Sequence, residues 1–212
     1  MYTLEQLNGR IIWLFRQPRS GSTWFQYALK NRIGRKILFM NREYNIDGRV
    51  QQPEDTELLL STHNFNALER IHEFTNPIIF CIDRKNHTEQ FISNHIASHT
   101  KIFNVNSNNE VINFPFIKPF TIPLRYVRLW SEYKKYRDSL WNKYALNYEN
   151  EVVYYEDLLK GWNSKLISSL YFSMGDTTYT DSTPRKLPYD KKDIILNYNT
   201  IDTMIKNEFG EY

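Results

Sequence analysis

The sequence predicts an α/β protein in which helices cover both faces of a mostly parallel β-sheet. Two short apolar runs, residues 11–16 and 77–83, are rich in β-branched and aromatic side chains and are typical of buried strands. Segments with helical periodicity follow both runs, and this alternation indicates a three-layer fold. The chain has 212 residues, which is enough for one sizeable core, so we expect a single domain.

The other elements are predicted from shorter patterns of the same two kinds. Further strands are expected at 37–40, 57–61 and 152–155, and helices at 24–32, 66–74, 88–98, 123–142, 157–172 and 189–208. The Asn-rich stretch within 100–120, which Pro115 interrupts, is expected to be a surface loop or insertion.

Composition and charge exclude several classes of function. A net charge of +3 is too small for a general nucleic-acid-binding protein, so any basic binding site has to be local. The single cysteine, Cys81, excludes a disulfide framework, and its place in an apolar run favours a core role. We find no apolar segment long enough for a secretory signal or a membrane span, and we therefore expect a cytoplasmic protein.

Residues 18–24, Pro-Arg-Ser-Gly-Ser-Thr-Trp, connect the first predicted strand to a predicted helix. Gly21 permits a turn with positive φ, and Arg19 adds a forked cation. The loop also carries three hydroxyl side chains, Ser20, Ser22 and Thr23. The helix that starts here directs unpaired N–H groups and its positive dipole end at the loop. This favours a nest for a tetrahedral anion over an ordinary capped turn, although the Walker lysine is absent.

This loop resembles the 5′-phosphosulfate loop of sulfotransferases that use 3′-phosphoadenosine 5′-phosphosulfate (PAPS). The resemblance implies a sulfotransferase fold of the P-loop-like type for the whole chain, closer to carbohydrate and bacterial members than to cytosolic ones. It also implies that Arg19 and the residues through Thr23 hold the 5′-phosphosulfate of PAPS. Trp24 matches a ring that borders the adenine.

A second motif is similar to the segment with which this family holds the 3′-phosphate of PAPS. The strand at 77–83 runs into Arg84 and Lys85, and Ser93 follows on the next predicted helix. The spacing to Ser93 leaves open whether Arg84 or Lys85 makes the contact. Arg185 and Lys186 match, more loosely, a late basic loop that covers the same phosphate.

Two residues are candidates for the base that accepts the acceptor's proton. Glu43 resembles the catalytic Glu of some carbohydrate sulfotransferases, although Arg42 replaces the Gly of that motif. His63 resembles the catalytic His of cytosolic members, although Ser61 replaces the Lys of that motif. An imidazole has the better ordinary pKa for this task, whereas a carboxylate needs burial to raise its own. We favour Glu43 because the other motifs are closer to the carbohydrate type.

The resemblance implies transfer of a sulfuryl group from PAPS to a hydroxyl of a carbohydrate or small molecule, without a metal. Two other functions stay open. One is a non-catalytic nucleotide- or anion-binding protein with the same fold, and the other is a divergent nucleotide kinase. His95 and His99 share one helix face but lack an apparent third ligand, which favours a solvated or packed pair over metal binding. Tyr-Glu-Asp-Leu at 155–158 resembles a structural strand-to-helix junction of the family.

Overall fold

The computed structural model describes residues 12–22, 25, 38–40, 57–74, 76–101, 116–160 and 190–211. The backbone forms two compact units. Unit 1 consists of Met1–Arg84 and Tyr136–Tyr179, and unit 2 of Lys85–Lys135 and Thr180–Tyr212. Each unit has a hydrophobic core of its own.

The sheet of unit 1 has five strands, and its four strand pairings are all parallel. The strands are β1 (Ile12–Arg16), β2 (Leu38–Met40), β3 (Glu57–Thr62), β4 (Ile78–Asp83) and β5 (Glu149–Tyr154). Their order across the sheet is β2-β3-β1-β4-β5. The prediction of an α/β protein with a mostly parallel sheet is therefore confirmed.

The apolar run of β1 is continuous because side chains cover both of its faces. Trp13 and Phe15 are fully buried and lie 5.7 Å apart between ring centres. Phe65 packs on Phe15 at 5.4 Å and belongs to the core on this face. On the opposite face Phe25, just beyond the loop, packs on Phe80 of β4 at 5.6 Å. A strand buried on both faces shows no polar alternation, which is why β1 could be predicted.

The helices differ from the sequence prediction mainly near the end of the chain. They are a 3₁₀ helix at Phe65–Glu73, α1 (His87–Thr100), α2 (Leu124–Tyr144), a 3₁₀ turn at Ala145–Asn147, α3 (Tyr155–Leu159), α4 (Lys191–Ile194) and α5 (Tyr198–Phe209). One continuous helix over 189–208 is wrong, because Ile195 forms a parallel bridge with Phe120. The Phe120 N–H donates to the Ile194 carbonyl at 2.9 Å, which ends α4.

Unit 2 is a small helical unit whose core lies among α1, the first part of α2, α4 and α5. Its fully buried residues include Phe91, Ile92, Ile96, Ile122, Val127, Ile201 and Ile205. Asn197 connects two segments of this unit, because its side chain accepts from the Ile122 N–H and donates to the Ile122 carbonyl. Across the described ranges, none of the helices is both long enough and apolar enough to span a membrane.

The strand order determines where unit 1 can bind a ligand. β1 lies at the centre of the sheet, between β3 and β4. The chain leaves β1 towards β2 on one side and leaves β4 towards β5 on the other. Ligands of open α/β sheets bind outside the carboxyl ends of the strands at such a switch point. The ends of β1 and β4 are therefore the first place to search for a site.

Candidate anion-binding site

The loop after β1 is a tight turn that begins at Gln17. The Ser20 N–H and the Ser20 hydroxyl both donate to the Gln17 carbonyl, at 3.2 Å and 2.8 Å. Pro18 occupies the first central position of the turn, where its fixed φ fits. Arg19 occupies the second, with φ of 61°, a left-handed conformation that is strained for a residue with a side chain. The turn therefore fixes the backbone of Arg19 in a strained conformation at the start of the loop.

Gly21 is required where the loop enters the following helix. Its φ is 83°, as the sequence predicts, and its carbonyl accepts the first helical hydrogen bond from Phe25 N–H at 3.0 Å. A methyl group added at Gly21 would collide with the ring of Tyr155. Ser22 is buried at the start of this helix. Thr23 and Trp24 lie outside the described residues, and their roles stay predictions.

Arg84 and Tyr155 meet beside this loop because β4 and β5 are neighbours in the sheet. The last register pair of these strands is Asp83 with Tyr154, so Arg84 and Tyr155 follow side by side. The guanidinium carbon of Arg84 lies 4.3 Å from the centre of the Tyr155 ring, a cation–π contact. Sequence reasoning assigned Tyr155 to a structural junction, because no local pattern reveals that β5 pairs with β4.

The charges of Arg19 and Arg84 act on each other across the loop. Burial lowers the pKa of Arg19, and the positive charge of Arg84 lowers it further. Burial raises the pKa of Tyr155, while the same two arginines oppose that rise. Both guanidinium groups are partly removed from water, and their positive charges repel each other. An anion with several negative oxygens between them would remove this repulsion, so the pair favours such a ligand.

His63 follows β3 and is tied to the end of β1. Its Nδ1 lies 2.9 Å from the Arg16 carbonyl oxygen. A carbonyl oxygen only accepts hydrogen bonds, so Nδ1 of His63 is the donor in this contact. The other candidate base, Glu43, lies outside the described residues.

A second arginine centre lies on the other face of the same sheet end. Arg137 of α2 and Asp83 of β4 are both buried, and an Arg137 Nη atom donates to Asp83 at 2.8 Å. Burial opposes the charge of Arg137, but Asp83 and Asp138 outweigh it and raise the pKa of Arg137. The other oxygen of Asp83 accepts from the Arg84 N–H at 2.8 Å. This pair therefore fixes the backbone that carries Arg84.

Ser93 belongs to unit 2, where a lysine contacts it. Lys191 of α4 donates to the Ser93 hydroxyl at 2.7 Å and forms an ion pair with Glu89. Arg185 and Lys186, which the resemblance places over the 3′-phosphate, lie outside the described residues. Arg84 belongs to unit 1, so the clamp expected from Arg84 and Ser93 stays a prediction.

Lys85, the alternative to Arg84, lines a cleft of about 240 Å³ within unit 2. The cleft lies at the start of α1 and also includes Thr88 and Lys192. Thr88 donates to Asp202 at 2.8 Å, so this part of the cleft is already paired. The structure thus gives Lys85 polar surroundings, and the choice between Lys85 and Arg84 stays open.

The histidine pair of α1 is packed against aromatic rings. His95 lies against Phe91 and Tyr126, with ring centres 4.5 Å and 5.6 Å away. His99 stacks on Phe120 at 4.2 Å. Burial lowers the pKa of His95, in keeping with a core role. Within the described part of the chain, no three His, Cys, Asp or Glu side chains are grouped so that they could hold a metal.

Comparison of the chain with protein-family models, with curated proteins and with solved structures found no match. Function therefore has to follow from the chemistry of the site. Unit 1 combines a strained loop at the central strand with two interacting guanidinium groups and a histidine at the next strand end. Such an arrangement has the charge and the backbone geometry to bind a phosphate- or sulfate-bearing ligand.

Proposed function

We propose that this protein is a sulfotransferase that moves a sulfuryl group from PAPS to a hydroxyl of a carbohydrate or small molecule. One observation carries the proposal: Arg19 and Arg84 converge at a glycine-containing loop after the central strand. PAPS bears a phosphosulfate and a separate phosphate, so it offers several anionic oxygens to forked donors. The resemblance of residues 18–24 to the family's loop selects PAPS among such anions.

We further propose that unit 1 has the P-loop-like fold of sulfotransferases. The all-parallel sheet with β1 at its centre supports this assignment, as does the anion loop at the carboxyl end of that strand. The fold would direct the nucleotide to the switch point between β1 and β4. In this arrangement the Tyr155 ring packs against Gly21. Its cation–π contact would keep Arg84 near Arg19, although the two positive charges repel each other.

The transfer breaks the bond between sulfur and the bridging oxygen of PAPS and forms a bond between sulfur and the acceptor oxygen. Negative charge develops on the bridging oxygen, where Arg19 would stabilise it. By analogy with phosphoryl transfer, positioning and charge stabilisation supply most of the rate. The acceptor's proton goes to a base, for which His63 and Glu43 are the two candidates.

The alternative of a divergent nucleotide kinase is disfavoured by the state of Asp83. A kinase needs a carboxylate at a strand end to hold magnesium. Asp83 ends β4, but both of its oxygens are engaged, by Arg137 and by the Arg84 N–H. A non-catalytic binding protein would share the nucleotide site and differ only in transferring nothing.

Calorimetric titration with 3′-phosphoadenosine 5′-phosphate, the product nucleotide, tests the proposed site. We expect the bisphosphate to bind more tightly than ATP or AMP. Arg19→Ala should weaken binding by about 100-fold or more, because it removes a forked charged donor. The control is Arg70→Ala, which removes an exposed arginine paired with Glu73 and should change affinity less than about twofold.

Two outcomes would overturn the site: a preference for ATP with magnesium, or binding that Arg19→Ala leaves unchanged. Transfer is then tested with sulfur-labelled PAPS and a panel of sugars and phenols. Labelled product identifies the enzyme, whereas tight bisphosphate binding without product from any acceptor supports the non-catalytic alternative. His63→Ala and Glu43→Ala separate the two bases, since only the loss of the acting base should reduce turnover while bisphosphate affinity is kept.

A further inference from the structure

A second cleft, of about 400 Å³, lies within unit 2 between α2 and α5. Its volume falls in the range of small-molecule sites, roughly 300–1,000 Å³. Val127 and Met204 give it apolar lining, and Ser131 adds a hydroxyl. The proposed sulfotransferase site uses none of these residues, so the cleft needs an explanation of its own.

Ser131 is the unusual residue of this cleft. It is 5% exposed, and among the described residues its hydroxyl has no hydrogen-bond partner. A helical Ser or Thr can donate to the carbonyl three or four residues earlier. Thr100 does so to Ile96 at 2.9 Å, and Ser139 does so to Tyr136 at 2.6 Å. Ser131 makes no such bond, although an unpaired buried hydroxyl destabilises the fold.

The rim of the cleft carries balanced charge. Two cations and two anions line it: Arg128, Lys135, Glu132 and Glu208. Lys135 and Glu208 form an ion pair that joins α2 to α5. A charged ligand would lose its hydration on entering the cleft. The balanced charges of the rim would not provide the net electrostatic attraction needed to compensate for that loss. The cleft therefore favours a neutral guest, and Met204 suits an apolar one because its side chain adapts to different shapes.

We propose that this cleft binds an uncharged small molecule with an apolar ring or chain and one polar group that pairs with the Ser131 hydroxyl. Val127 and Met204 would contact the apolar part. The site is independent of the proposed sulfotransferase function, because it shares no residue with the arginine pair of unit 1. Either proposal can therefore fail without the other.

Three probes of similar shape test this inference on the full chain: benzamide, benzoate and benzylammonium. Binding is followed by NMR through the methyl groups of Met204 and Val127. We expect benzamide to shift both signals with a Kd of about 1 mM, which is ordinary for so small a ligand. The two ions should bind at least about fivefold more weakly. Ser131→Ala should weaken benzamide about fivefold to tenfold, whereas Ser139→Ala should leave its affinity unchanged.

The Tm of the unliganded variants checks that the Ser131 hydroxyl is unpaired. Ser131→Ala should keep or raise Tm, because it removes a buried polar group that forms no bond. Thr100→Ala should lower Tm, because it removes a formed hydrogen bond. No shift of Met204 with benzamide, tighter binding of either ion, or a Tm loss of several degrees in Ser131→Ala would each overturn the proposal.

Discussion

Two arginine centres lie at the carboxyl end of the same sheet, and they differ in how their charge is balanced. Arg137 is 3% exposed, and Asp83 and Asp138 raise its pKa against the effect of burial. Arg19 is half-buried beside Arg84, and both burial and that second cation lower its pKa. The first centre is neutralised within the fold, whereas the second brings two positive charges close enough to act on each other.

The alternation of side chains along β4 explains how one strand end serves both centres. Consecutive residues of a strand point to opposite faces of the sheet. Asp83 points towards the face where Arg137 lies, and Arg84 points towards the face of Gly21 and Tyr155. A buried ion pair thus lies on one face and a cation–π contact on the other, although two adjacent residues supply both faces.

Breaking the neutralised centre should have the largest effect on stability. Arg137→Met leaves Asp83 buried without its cation, so we expect a loss of about 3–5 kcal/mol in the free energy of unfolding, measured by urea denaturation. The exposed Arg70→Met should leave the urea midpoint nearly unchanged. Adding Asp83→Asn to Arg137→Met should recover part of the loss, because no unpaired charge then stays buried. A cost below about 1 kcal/mol for Arg137→Met would contradict this account.

Gly21→Ala should have the next largest effect, because the added methyl group meets the Tyr155 ring as well as the positive φ. We expect a loss of about 2–4 kcal/mol in unfolding free energy. Gly210 is a matched control, since its φ is 85° and a methyl group there meets nothing within 4 Å. Gly210→Ala should therefore cost only the backbone strain, about 1 kcal/mol. Equal losses for the two variants would show that Tyr155 does not restrict Gly21.

Arg19→Gly should separate the strain of the loop from its function. Compared with Arg19→Ala, it should be about 1 kcal/mol more stable, because glycine adopts the left-handed φ without strain. Both variants should lose affinity for the bisphosphate, since both lack the cation. Lys101 has the same φ of 61° at the end of α1. Lys101→Gly should gain similar stability and keep full affinity, and a loss of affinity there would mean that strain relief alone disturbs binding.

The smallest expected effect is the pH dependence that His95 gives to stability. Burial lowers the pKa of His95 in the folded protein below its ordinary value of 6.5. At pH values between the folded-state pKa and 6.5, the unfolded chain therefore binds more protons than the folded one. Stability should therefore fall as the pH decreases through about 6.5, by less than about 1 kcal/mol after solvent screening. His95→Phe keeps a ring beside Phe91 and cannot be protonated. Urea denaturation between pH 7 and 5 should show a flatter profile for this variant, and an unchanged slope would exclude His95 as the cause.

Local patterns were sufficient for the strands and for the loop, because those features depend on nearby residues. The apolar run of β1 and the positive φ of Gly21 both follow from side chains within a few positions. Tyr155 and Arg137 could not be found in this way. Tyr155 reaches Arg84 only because β5 pairs with β4, and Arg137 reaches Asp83 only because α2 crosses above it. Both contacts join residues that are more than 50 positions apart in the chain.

The interruption after α4 has a similar cause. Residues 189–208 have helical periodicity, yet Ile195 pairs with Phe120 and Asn197 bonds to Ile122. These partners belong to a segment more than 70 positions earlier, and no local propensity reports them. For the same reason the hydrogen bond from Lys191 to Ser93, which joins residues 98 positions apart, has no signal in the local sequence.

The two hydrogen-bonding roles of Asp83 have a consequence for how this sequence can change over generations. One of its oxygens accepts from Arg137 and the other from the Arg84 N–H. A lineage that replaced Asp83 alone would weaken the fold and, in the same step, displace Arg84, the cation proposed to bind the anion. Asp83 and Arg137 should therefore be inherited, or exchanged, as a pair.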